Sequence, residues 1–139
     1  MKQNFTKIIV ETNKRNLIEI TEQIHSIIKS SEIKDGLVTL YIKHTSASLI
    51  IQENADKDVL KDIETFFDRL VPMNDSDYLH RAEGADDMPA HIKSLLTSTH
   101  VSIPFQEKKL LLGTWQGIFL FEHRIDPSSR TIEIHIIGE

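Results

Sequence analysis

Residues 78–93, Tyr-Leu-His-Arg-Ala-Glu-Gly-Ala-Asp-Asp-Met-Pro-Ala-His-Ile-Lys, hold two imidazoles, His80 and His91, with three carboxylates between them. A loop of that composition buries little apolar surface, so its residue types suit a site better than a core. Zinc and related ions take neutral imidazole nitrogen and carboxylate oxygen, and a loop closing onto a helix start brings both donor types to one point. A third histidine, His44, ends the aliphatic run 37–43 and is the natural partner of the other two. Its alternative reading is a packed histidine satisfied by a backbone carbonyl. Structural zinc usually shows short, regular ligand spacing, which is missing here, so an open site fits better than a closed one. His25, His100 and His135 lack such company and read as surface or packing residues.

The carboxylates Glu53, Glu83, Asp86 and Asp87 offer a further ligand, an acceptor for an imidazole N–H, or a general base, and Glu83 and Asp86 are the candidate catalytic pair. Asp86 and Asp87 also precede a helix near Pro89, where acidic side chains suit the dipole. Trp115 and Gln116 lie between Gly113 and Gly117 and offer a flat stacking wall with an adjacent amide. A core or interface tryptophan is the competing reading. Lys93 and Arg124, with Arg81, Arg130 and the Ser128-Ser129 pair, supply cations and hydroxyls for a phosphate. Scattered basic residues also serve solubility alone.

Sixteen Lys and Arg against twenty-one Asp and Glu give a formal charge of −5, which argues against a nucleic-acid partner. Residues 53–87 hold eleven acidic and four basic side chains, a local balance of −7, so the remainder sums to +2. The field around the histidines therefore favours a cation, and a solvated acidic helix face is the plainer account of the same residues. Cysteine is absent, so any transition metal must rely on nitrogen and oxygen. No apolar run approaches the ~20 residues of a bilayer span, and the start lacks a secretory core, so a cytoplasmic protein with no membrane partner is expected.

The elements that must position these groups follow from periodicity. Strands are expected over 4–12, 37–43, 46–52, 101–105, 109–112, 114–123 and 130–137. Helical spacing of Leu17, Ile20, Ile24, Ile27 and Ile28 predicts a helix over 15–30. A second helix, capped by Asn54, carries Val59, Ile63, Phe66, Phe67 and Leu70 and stops at Pro72. A third opens at Pro89 with Ile92, Leu95 and Leu96 turned inward. The expected fold is α+β, one domain over 1–139, mainly antiparallel sheet with about three helices. The strand face Ile132, Ile134 and Ile136 is compatible with assembly.

Four ordered blocks resemble the signature of the YjbQ-like family: His44-Thr45-Ser46-Ala47-Ser48-Leu49, Gln52-Glu53-Asn54-Ala55-Asp56, Glu83-Gly84-Ala85-Asp86-Asp87-Met88-Pro89-Ala90-His91-Ile92-Lys93, and Gly113-Thr114-Trp115-Gln116-Gly117. The resemblance spans nearly the whole chain, to Glu122-His123-Arg124 and Gly138-Glu139. It implies a homotrimer with secondary thiamine-phosphate synthase activity, a divalent metal (zinc or magnesium) and His44, His80 and His91 as its ligands. Thiazole phosphate and a pyrimidine methyl diphosphate would be joined with loss of diphosphate, so the partner is a small phosphorylated molecule. Two positions depart from the pattern: Arg81 stands where an aspartate is expected, and Ala82 where a larger residue is common. Competing readings are a non-catalytic, ligand-binding trimer and a metal-dependent hydrolase with water activated by Glu83 or Asp86.

Overall fold

The computed structural model describes residues 1–139. In chain order its elements are β1 Lys2–Thr12, β2 Asn16–Glu19, α1 Thr21–Ser30, β3 Gly36–Ile42, β4 Ala47–Glu53, α2 Lys57–Leu70, α3 Asp87–Leu96, β5 His100–Gln106, β6 Lys109–Leu110, β7 Gln116–Glu122 and β8 Ser128–Gly138. The strands form two sheets, β1-β8-β3-β5-β6 and β2-β7-β4, and every pairing is antiparallel. This is the α+β, mainly antiparallel, three-helix architecture that the hydrophobic pattern predicts.

Alternation decides which faces meet. Val38, Leu40 and Ile42 of β3 and Ile132, Ile134 and Ile136 of β8 point inward and meet Leu49 of β4, Ile118 and Leu120 of β7, and Ile24 and Ile28 of α1. Each such aliphatic side chain contributes about 1.5–3 kcal/mol by leaving water. Ile132, Ile134 and Ile136 are thus core of the single chain and not an assembly face. The small sheet's other face carries Phe119 and Phe121, which pack with Leu17 against Ile63 and Phe67 of α2. The layers run large sheet with α1 beside it, small sheet, then α2.

Several boundaries differ from expectation. Residues 16–19 pair with Phe119–Glu122 as a strand, and the helix starts only at Thr21. Leu17 and Ile20 satisfy both readings: Leu17 joins the aromatic cluster across β7, and Ile20 enters the main core. A short apolar run cannot be assigned by period alone. The cap of α2 is Asp56, whose carboxylate accepts the Asp58 N–H at 2.9 Å, rather than Asn54. α3 begins at Asp87, two residues before Pro89, because the first helical N–H groups have no acceptor in the helix and proline is tolerated there. Its inward face carries Ala90, Lys93 and Ser94, whereas Leu95 is 83% exposed and Leu96 is exposed too. Ser94 Oγ donates to the Ala47 carbonyl at 3.1 Å and Lys93 Nζ to Asp68 at 2.7 Å, and these bonds set the rotation of the helix.

Candidate metal centre

Asp87 and His91 sit four residues apart in α3 and therefore on one helical face. His80 approaches the same point from the loop before the helix. Its Nε2 lies 2.6 Å from Asp87 Oδ2, and the Nε2 of His91 lies 3.3 Å from the same oxygen. The three donor atoms are within 4.8 Å of one another, and the two imidazole centroids are 5.5 Å apart. Gly84, at φ 113°, makes the reversal between His80 and Asp87 in backbone space that L side chains rarely occupy.

Protonation can be read from the partners. The Thr45 carbonyl, 3.1 Å from His91 Nδ1, accepts a hydrogen bond from it, so in the neutral imidazole the lone pair lies on Nε2, facing Asp87. A carbonyl that holds the distal N–H in this way is the usual support of a metal-bound histidine. Asp87 is buried, at 2% side-chain exposure. Desolvation alone would raise its pKa, but the bond from His80 and the charges of Arg124, His91 and His80 outweigh it and hold the carboxyl below its usual range. Asp86 shows the same balance: desolvation is overcome by the Ile125 N–H and the Arg124 guanidinium.

Two imidazole nitrogens and one ionised carboxylate are a donor set that suits zinc and its neighbours better than magnesium, which prefers oxygen. The 3.3 Å between His91 and Asp87 donors matches the edge of a tetrahedron with metal–ligand bonds of about 2.0 Å, whereas the 2.6 Å between His80 Nε2 and Asp87 Oδ2 is a hydrogen bond donated by the imidazole, so His80 would give up that proton and draw back on taking an ion. Three protein donors leave room for water or substrate. Beside His80 a cavity of about 230 Å³ is lined by Asn74, Asp75, Tyr78, Arg81, Gly84 and Ala85. The residue types therefore suit a divalent ion, which would take the place of the His80–Asp87 hydrogen bond.

Within the chain, the structure brings together His80 and His91 but not His44. The His44 Nε2 accepts the Thr131 N–H at 2.8 Å, which spends its lone pair on tying the end of β3 to β8. Burial, then the charge of Arg130, lowers its pKa and keeps it neutral. His44 is thus packed through a backbone N–H instead of the carbonyl expected of a packed histidine, and the residue that stands with His80 and His91 is Asp87. Asp86 gives Oδ2 to Arg124 Nε at 3.0 Å and to the Ile125 N–H at 2.9 Å, so neither aspartate caps α3 through its side chain. Glu83 is exposed, and its carbonyl accepts from Arg124 Nη2 at 2.9 Å. Lys93 is buried against Asp68 and is not free for a phosphate. Trp115 is 62% exposed and precedes β7, while Arg124 follows it, so roughly 30 Å of extended chain separates the two. The Gln116 Oε1 accepts the Gly113 N–H at 2.7 Å and braces the turn. Glu53 pairs with Gln116 at that same far end. Of the remaining histidines, His135 stacks on Phe5 and His100 is exposed.

The fold and the site together define an α+β protein with a His-Asp-His group at the start of its third helix. The profile of the family described as "UPF0047 protein YjbQ-like" matches residues 6–139, and the chain belongs to that family. It is 47% identical over 138 residues to UPF0047 protein sll1880 of Synechocystis, covering 99% of this chain and 94% of that protein. It is 45% identical over 121 residues to YjbQ of Escherichia coli O157:H7, covering 86% and 87%. Among solved structures, a YbjQ-like protein of unknown function from Sulfolobus solfataricus superposes with TM-score 0.90 at 29% identity, covering 99% of both chains. A Clostridium acetobutylicum member of the YjbQ/UPF0047 family gives 0.86 at 35% identity, covering 95% and 99%.

Proposed function

We propose that this protein is a divalent-metal-dependent enzyme acting on a small phosphorylated heteroaromatic substrate, with thiamine phosphate formation as the reaction. The observation that carries the reading is the convergence of His80, Asp87 and His91 donor atoms within 4.8 Å. The ring nitrogen of a thiazole phosphate attacks the methylene carbon of a pyrimidine methyl diphosphate; the C–N bond forms as the C–O bond breaks, and diphosphate leaves. A zinc-type ion, when bound, supplies positive charge for the departing diphosphate. Lys93 and Arg124 are occupied by carboxylates, so the cation beside His80 with no carboxylate partner is Arg81, whose Nε and Nη2 donate to the Tyr78 and Ser76 carbonyls and leave Nη1 for a phosphate. The family resemblance supports the reaction, and the closeness of the three donor atoms supports the metal.

A hydrolytic reading is favoured by the same three-donor count, which leaves a position for water. In that case the exposed Glu83 carboxylate is the candidate base, because Asp86 is held by Arg124. The chain is further proposed to assemble as a homotrimer. Support comes from Phe5, 70% exposed on the outer face of the large sheet, from Leu95, and from an apolar groove of about 460 Å³ along the open side of β4.

The deciding experiment incubates zinc-loaded protein with both substrates and follows thiamine phosphate and diphosphate. The expected result is product with the wild type and at least a hundredfold less with His91→Ala, a loss of about 2.7 kcal/mol of transition-state stabilisation. Equal product from the two proteins contradicts the reading. Release of phosphate without coupling moves the assignment to the hydrolase.

A further inference from the structure

We propose that Arg124 is the positioning residue of this centre: its guanidinium fork takes one oxygen of Asp87 so that the other, Oδ2, is presented to the two imidazoles. The sequence suggests a free cation for a phosphate. In the structure every guanidinium nitrogen has a partner within the site. Nη1 donates to Asp87 Oδ1, Nε to Asp86 Oδ2 at 3.0 Å, and Nη2 to the Glu83 carbonyl at 2.9 Å. One side chain thus ties the loop carrying His80 to the two aspartates at the start of α3.

The fork is itself mounted on the sheet. The Arg124 backbone N–H donates to Glu122 Oε1 at 3.0 Å. Glu122 is fully buried, is paired with Arg130, and accepts the Thr12 hydroxyl at 2.9 Å. A continuous path therefore runs from Arg130 in β8 through Glu122 to Arg124, and from there to Asp87 and the imidazoles. With Oδ1 held by Arg124, Asp87 meets an ion through Oδ2 alone. Planar, rigid donors give this division of labour; a lysine ammonium brings the charge without the fork. Groups that orient metal ligands in this way typically change metal affinity 10- to 100-fold when replaced.

This inference rests on the metal-centre reading, and its test separates the two. Cobalt(II) is titrated into the metal-free full-length protein and followed by visible absorption. Arg124→Lys, which preserves the charge, is expected to bind at least tenfold more weakly and with an altered ligand-field band; Arg124→Gln is expected to weaken binding as well. Arg124→Lys matching the wild type, or Arg124→Gln binding more tightly because a positive charge has gone, overturns the proposal. The ¹⁵N–¹H imidazole spectra of the metal-free proteins give an independent answer. Both variants should shift the His80 and His91 signals and leave His123 in place, and unshifted His80 and His91 signals overturn the proposal. A wild type that takes no cobalt sinks the metal centre, and the imidazole spectra still decide Arg124. If neither variant folds, the zinc-loaded wild-type crystal structure decides: one Asp87 oxygen on the ion supports the proposal, and two overturn it.

Discussion

Asp87 divides its two oxygens between a guanidinium and a pair of imidazoles, and that division is the centre of the site. His80 and His91 are legible in the sequence because imidazoles bracketing an acidic loop have no core to fill. Asp87 is harder to select, because the three carboxylates between the histidines have equivalent chemistry and only the start point of α3 places one of them a helical turn before His91. His44 illustrates the converse. Its position at a strand end resembles a ligand's, yet a backbone N–H from β8, distant in sequence, claims its lone pair. His123 makes a testable statement at this scale. It is buried, and its Nε2 lies 2.9 Å from Ser48 Oγ while Nδ1 has no partner. Burial, then the charges of Lys93, Arg130 and Arg15, lowers its pKa from 6.5 to about 3. Because the folded pKa is depressed, the unfolded chain binds the proton first. The stability contribution of the neutral ring is complete above pH 6.5 and is lost as pH falls toward about 3. Chemical denaturation between about pH 6 and 4 should show His123→Gln losing less stability per pH unit than the wild type, by up to about 1.4 kcal/mol. Identical slopes contradict the buried, neutral assignment.

At the scale of elements, strands with clear alternation were legible: β3, β4, β5 and β8 fall within a residue or two of their expected limits, because one face of each is apolar. Helical spacing overextends the first helix, since Leu17 packs behind β7 in a layer that no local pattern reveals. Local spacing locates α3 but not its rotation. Leu95 and Leu96 follow helical spacing, yet the buried Lys93–Asp68 pair and the Ser94 bond to Ala47 turn Ala90, Lys93 and Ser94 inward instead. That rotation serves the site, because it also directs His91 to the Thr45 carbonyl and Asp87 to Arg124. Arg124 was legible as a cation but not as a clamp: its three partners lie about forty residues earlier in the chain, and their approach depends on sheet register.

For the molecule as a whole, the excess negative charge of residues 53–87 is spread from Glu53 at the far end of β4 through α2 to Asp87 at the site, and no helix is long and apolar enough to cross a membrane. The exposed Leu95, Phe5 and the groove beside β4 leave more apolar surface than one chain covers. Sedimentation at micromolar concentration should return the mass of three chains, and the mass of one chain contradicts the assembly. The central claim is that His80, Asp87 and His91 hold one ion. Anomalous diffraction at the zinc edge from zinc-loaded crystals tests it most directly. The account predicts one dominant peak about 2.0–2.2 Å from His80 Nε2, Asp87 Oδ2 and His91 Nε2. A dominant peak at His44 or elsewhere, or no peak between these three side chains, contradicts it.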